Sequence, residues 1–113
     1  MIKNIYLISA LIEDYKIYKI GYTKRNVISR VNELKTANPY ELEIVEVYVA
    51  ENYGTRIEKK LHNAFKSKRM NGEWFELDEN DINEFQNMCE LYYNVFDSLK
   101  NNTYIEDRGI TFK

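Results

Sequence analysis

The sequence predicts an α/β domain of the α+β kind, a small three-stranded, mainly antiparallel sheet flanked by helices. Three observations predict it: two β-branched and aromatic runs close enough to pair, a third such run further on, and apolar residues at helical spacing between and after them. Residues 4–10 (NIYLISA) and 16–22 (KIYKIGY) are separated only by residues 11–15, a connection short enough for an antiparallel hairpin. Both runs are apolar on both faces, which places the hairpin at the centre of the sheet. Asn26 then supplies a cap for a first helix carrying Val27, Ile28, Val31 and Leu34, and Asn38-Pro39 stops it. Residues 42–50 (LEIVEVYVA) form the third strand, but the apolar phase slips between Ile44 and Val45, so a bulge or two-sided burial is needed there. Asn52 or Thr55 opens a second helix with Ile57, Leu61, Ala64 and Phe65 on one stripe. It is expected to end in Lys66-Ser67-Lys68-Arg69, cations suited to the negative end of a helix dipole. Asn71-Gly72 marks a turn, and residues 74–77 (WFEL) a short extended piece. A third helix over 80–99 then carries Ile82, Phe85, Met88, Cys89, Tyr92, Val95, Phe96 and Leu99. Residues 1–99 are expected to be one domain and 100–113 a polar tail, whose Ile110-Thr111-Phe112 suits an edge strand or a loose end.

At 113 residues the chain has room for one hydrophobic core. With 44% hydrophobic and 30% charged residues, four Gly and one Pro, it is neither disordered nor collagenous. No apolar window is long enough for a membrane span, and Glu13-Asp14 follow the first apolar run where a secretion signal would carry its cleavage site, so a cytoplasmic location is expected. Cys89, the single cysteine, excludes an internal disulfide and a cysteine zinc site. The formal charge of −2 hides an asymmetry. Residues 1–72 carry 13 Lys and Arg against 8 Asp and Glu, whereas residues 73–113 carry 3 against 10. Lys16, Lys24, Arg25, Lys35, Arg56, Lys59 and Lys66 are therefore candidates for contacts to nucleic-acid phosphates, if the two basic clusters share a face. The acidic third helix offers a solvated face or a surface for a second copy or a basic protein partner; membrane association is not expected.

Certain residue types recur in a suggestive order: Ile5-Tyr6, then Lys19-Ile20-Gly21 with Thr23, then Arg30 inside the first helix and Glu58 inside the second. The second helix also reads E-x-x-x-H-x-x-F through Glu58, His62 and Phe65, and is followed by Gly72-Glu73-Trp74-Phe75. Over residues 4–77 this order resembles the GIY-YIG nucleases, in particular the branch found in phages, large DNA viruses and bacteria. The resemblance implies a GIY-YIG-like fold and a DNA endonuclease of low sequence specificity using Mg²⁺ or Mn²⁺. It implies Tyr6 as general base, Arg30 as the clamp on phosphate oxygens and Glu58 as metal ligand.

Those residue types suit the chemistry. Phosphodiester hydrolysis needs a base on water, positive charge on the phosphate and a metal at the leaving oxygen. A free tyrosine titrates near ~10, so Tyr6 needs a nearby cation, and Lys19 on the paired strand or a metal-bound water could serve. A guanidinium fork such as that of Arg30 fits two phosphate oxygens. His62, four residues after Glu58 on the same helix face, could orient Glu58, protonate the leaving oxygen or make a structural hydrogen bond. Gly21 would allow close approach to the second strand, and Trp74 and Phe75 are expected in the core. Two departures stand out: Asn4 replaces the glycine of the first triplet and Lys19 the tyrosine of the second. A lysine binds phosphate but offers no neutral hydroxyl, so a catalytically inactive nucleic-acid- or protein-binding module is the alternative.

Overall fold

In the computed structural model, which describes residues 3–100, β1 (Lys3–Ile12) runs through the middle of the sheet. Its Ile5, Tyr6, Leu7, Ile8 and Ala10 are all buried, as a strand apolar on both faces must be. β2 (Tyr15–Thr23) returns antiparallel beside it after Glu13 and Asp14, with Glu13 at φ 57°, the left-handed region that such a tight reversal demands. β3 (Glu41–Ala50) pairs antiparallel on the other side of β1. The slip anticipated between Ile44 and Val45 is a bulge: Leu7 faces Glu46 while Ile8 faces Ile44, so Val45 is skipped.

The sheet has five strands and not three. β4 (Arg69–Asn71) and β5 (Trp74–Phe75) form a small hairpin that extends it beyond β2, giving the order β3-β1-β2-β5-β4 with every pair antiparallel. Strands of three and two residues are too short to display an alternation, which is why only the turn and the extended piece are legible in the sequence. Gly72, at φ +57°, makes the reversal.

α1 (Val27–Ala37) starts where expected, with the Asn26 side chain accepting hydrogen bonds from the Ile28 and Ser29 backbone N–H groups. α2 (Gly54–Ala64) starts differently: neither Asn52 nor Thr55 caps it, and Tyr53, at φ 67°, stands at the N-cap without a side-chain bond. Nor does the helix run into the basic stretch. Lys66–Lys68 is a separate 3₁₀ turn, and Arg69 already belongs to β4. α3 (Glu79–Lys100) spans the long apolar stripe and ends within a residue of its expected limit. The tail containing Ile110, Thr111 and Phe112 lies outside the described residues.

Each face of the sheet has its own core. On one, Ile5, Leu7, Ile20 and Phe75 pack with Ile57 and Leu61 of α2 and Phe85, Cys89 and Phe96 of α3. On the other, Tyr6, Ile8, Ala10, Ile17 and Leu42 pack beneath Val27 and Val31 of α1. The helical stripe of α3 is not uniformly buried, because Phe85 is fully enclosed while Val95 is 43% exposed. Phe85→Ala is expected to cost about 3–5 kcal/mol in urea denaturation. Val95→Ala should stay within about 0.5 kcal/mol of wild type, and equal losses would contradict this packing.

Candidate active site

Tyr6 and Gly21 face each other across β1 and β2. A side-chain carbon on Gly21 would lie 2.6 Å from Tyr6 Cε1 and closer still to Cζ and the hydroxyl oxygen, so the tyrosine ring occupies the space a side chain would take. Gly21 is thus required for a reason of space. The ring lies over the bare backbone of β2, with its hydroxyl end against Gly21. There the sheet is open, because β5 pairs only with Tyr18 and Lys19. Beyond them Ile20 finds other partners: its N–H donates to the Glu73 carbonyl (3.2 Å), and its C=O accepts from His62 Nε2 (2.8 Å). A carbonyl oxygen only accepts, so Nε2 carries the ring proton and, in the neutral imidazole, Nδ1 is left as a lone pair.

Arg30, half-buried on α1, lies near enough to Tyr6 for its charge to act on the hydroxyl, and is held from behind by Glu33 (3.2 Å), which is itself gripped by both guanidinium nitrogens of Arg25 (2.5 and 2.8 Å). Burial pushes the Tyr6 hydroxyl above its ordinary value, and the neighbouring Arg30 only partly opposes this. This corrects two expectations for the general base. The cation at Tyr6 is Arg30 and not Lys19, and the resting phenol is a weaker acid than free tyrosine. Lys19 points elsewhere, with its ammonium 3.2 Å from Glu73 Oε1 and 5.7 Å from the centre of the Trp74 ring.

From α2, Glu58 and His62 reach the same edge. One ligand-type atom from each of Glu58, His62 and Glu73 lies within 4.8 Å of the others. Burial, and then the neighbouring Glu73 carboxylate, raise Glu58 to about 7 against the opposing pull of Lys19. The charges of Glu73 and Glu58 also act on Tyr6, so Tyr6, Arg30, Glu58, His62, Glu73 and Lys19 form one electrostatic neighbourhood. Glu73 is the member that sequence reasoning missed. In the sequence it shows only as part of the Gly72–Phe75 run; that this run returns the chain to β2, with Trp74 opposite Lys19, is visible only in the fold.

The candidate phosphate contacts are distributed differently from expectation. Lys16, Lys24, Arg25, Lys35, Arg56, Lys59 and Lys66 are all exposed, but they do not make one face. Lys35 belongs to α1 on one side of the sheet, Arg56 and Lys59 to α2 on the other, and Arg25 is engaged by Glu33. Arg56, Lys59, Lys60 and Asn63 line a groove against Phe96, with the Arg56 guanidinium 4.1 Å from the centre of that ring. Part of the acidic surface of α3 is likewise engaged: Glu90 accepts from Tyr48, Asp97 from Tyr53 and Asp81 from Lys68. Trp74 is half-buried and Phe75 fully buried, as expected of core residues. None of the helices among the described residues is long and apolar enough to cross a membrane.

These features define a class: an α+β domain with a cluster of carboxylates, an imidazole and a tyrosine with an arginine beside it at an open sheet edge. The chain belongs to the T5orf172 domain family, whose model matches residues 4–90 and so takes in the whole sheet, α1, α2 and the first half of α3. That match overturns the assignment to the GIY-YIG nucleases, so the roles that the resemblance implied for Tyr6, Arg30 and Glu58 no longer follow from a family. T5orf172 is a nuclease-associated family. No curated protein and no solved structure matches the chain.

Two outcomes follow from the packing. Gly21→Ala must displace the Tyr6 ring, and is expected to cost about 1–3 kcal/mol in urea denaturation. A neutral result would mean that the ring does not cross Gly21. For Glu58, a folded-state value near 7 against an ordinary 4.5 means stability present below about pH 4.5 and lost as pH rises through 7. Glu58→Gln should therefore flatten that dependence and gain about 1 kcal/mol at pH 8, after allowance for solvent screening. Thermal melts at pH 5 and pH 8 check it, and a variant less stable at both would show that the carboxylate holds the fold together.

Proposed function

We propose that the protein is a divalent-metal-dependent hydrolase of DNA phosphodiester bonds, with low sequence specificity and a cytoplasmic site of action. The observation that supports this reading best is the convergence of Glu58, His62 and Glu73 beside the start of β5, with the Glu58 charge felt at Tyr6. A carboxylate suited to a metal, a guanidinium suited to phosphate and a tyrosine hydroxyl stand in one electrostatic neighbourhood there, with Glu58 and Arg30 partly exposed. The donor set fits a hard divalent ion, Mg²⁺ or Mn²⁺, with Glu58 as ligand. When bound, such an ion supplies positive charge to the leaving oxygen and opposes the upward shift of Tyr6.

Arg30, bonded to Glu33 through one nitrogen, has further donors for two non-bridging phosphate oxygens. Tyr6 orients the attacking water and takes its proton only once positive charge has entered the site, since burial keeps the hydroxyl protonated at rest. Lys19 balances Glu73 and stands close enough to the edge to meet the phosphate chain. The exposed lysines and arginines bind backbone phosphate in preference to base edges, which gives affinity with little sequence discrimination.

Cleavage of plasmid and single-stranded DNA with Mg²⁺ and Mn²⁺ tests this reading. Glu58→Gln should reduce cleavage at least about 100-fold while DNA binding is kept or tightened, as removing a carboxylate relieves repulsion of phosphate. Binding of wild type should weaken about tenfold or more between 50 and 200 mM salt. If wild type and Glu58→Gln both bind DNA and neither cuts any substrate with either ion, the domain is a binding module and the hydrolase reading is wrong.

A further inference from the structure

His62 is the only histidine of the chain and does more than fill space. Its Nε2–H is committed to the Ile20 carbonyl at 2.8 Å, and its ring stands edge-on to Phe75 with centres 5.1 Å apart, so both tautomer and ring plane are set. A metal-binding histidine is normally held in this way, with one ring N–H donated to a carbonyl or carboxylate and the other nitrogen free to coordinate. Glu73 is held similarly. Lys19 takes its Oε1 and leaves the second oxygen available. A first-row divalent ion with bonds of about 2.0–2.2 Å places neighbouring ligand atoms about 3 Å apart and opposite ones about 4 Å apart. One donor atom of each side chain already lies within 4.8 Å of those of the other two, and rotation of the Glu58 and Glu73 side chains about the fixed imidazole closes the set toward that spacing.

We infer that His62 and Glu73 join Glu58 as ligands of a single divalent ion, and that the nitrogen donor makes the site prefer a first-row transition ion, Mn²⁺ in the first instance, to Mg²⁺. This deepens the hydrolase reading and rests on it for its purpose, but not for its test. Two carboxylates and a neutral imidazole supply two negative charges to a doubly charged ion. Three protein ligands leave the remaining positions to water and phosphate oxygens. Mg²⁺ favours an all-oxygen, nearly octahedral shell and gives up water reluctantly, so an imidazole in the set costs it more than it costs Mn²⁺. Lys19 meanwhile screens the two carboxylates from each other, consistent with its opposing effect on Glu58.

Calorimetric titration of the full chain with Mn²⁺ and with Mg²⁺, in the absence of DNA, tests the assignment. Wild type should bind Mn²⁺ at least about tenfold more tightly than Mg²⁺. His62→Gln keeps an amide N–H for the Ile20 carbonyl but has no second ring nitrogen; it should lose about 10–100-fold in Mn²⁺ affinity and change little for Mg²⁺. Glu73→Gln should weaken both ions. Equal affinities of wild type for the two ions, or an unchanged Mn²⁺ affinity in His62→Gln, would overturn the inference. Should His62→Gln fail to fold, nitrogen NMR of the single wild-type imidazole decides: diamagnetic Zn²⁺ should shift Nδ1 while Nε2 stays protonated, and an unmoved Nδ1 signal refutes coordination. Selective Mn²⁺ binding without cleavage of any DNA would sink the hydrolase reading and leave the ligand set standing. Cleavage supported equally by Mg²⁺, lost in Glu58→Gln but intact in His62→Gln and Glu73→Gln, would do the reverse.

Discussion

The contact of the Tyr6 ring with the bare backbone of Gly21 is the constraint on which the site depends. A strand buried on both faces leaves a tyrosine little room, since its side chains are enclosed by the layers above and below. Gly21 removes one side chain from the neighbouring strand, and the tyrosine of β1 fills the gap. The whole side chain thereby stays in the core, with its hydroxyl end against the backbone of β2. Arg30 approaches from α1 on one side of the sheet, and Glu58 and His62 from α2 on the other, because the two helices pack on opposite faces and the edge of β2 is where both can reach.

The late start of β5 is the second half of the design. Had β5 begun earlier alongside β2, the N–H and C=O of Ile20 would have been paired to strand backbone and the edge closed. Instead the chain supplies the Glu73 carbonyl and the His62 ring as substitutes, so the edge is satisfied without being covered. The same substitution brings the Glu73 carboxyl to Glu58. The repulsion between these two acids, added to burial, keeps Glu58 near 7, and the Lys19 ammonium on Glu73 limits it. Positive charge entering the site relieves that repulsion, which makes the edge receptive to a cation in a way that a scattered set of surface acids is not.

Much of this was legible in the sequence, and the parts that were not have physical reasons. The three long strands, the Asn26 cap, the bulge at Val45 and the apolar stripe of α3 follow from alternation and spacing alone. Tyr6, Gly21, Arg30, Glu58 and His62 were singled out through a resemblance whose family name the T5orf172 match replaces, yet the structure does bring these residues together. A tyrosine opposite a glycine on paired strands is a demand of geometry, and short motifs of that sort carry less information about family than about local construction. The small β4–β5 hairpin was too short to show a period, and with it the placement of Glu73 was hidden. The direction of the Tyr6 shift could not be read at all, because it depends on how deeply the ring is enclosed and on which cation is adjacent. Lys19 was the cation nearer in sequence logic; Arg30 is the one whose charge acts on the hydroxyl.

The claim that one cation-binding centre is assembled from β1, β2, α2 and the β4–β5 turn is tested most directly by paramagnetic broadening of backbone amide signals with substoichiometric Mn²⁺. The account predicts a single focus, with the strongest losses at Tyr6, Ile20, Gly21, Glu58, His62 and Glu73 and little change at Glu41 and Glu43 of β3. A focus at those β3 acids or at Asp78 and Asp81, or broadening spread evenly over the acidic surface, would contradict it.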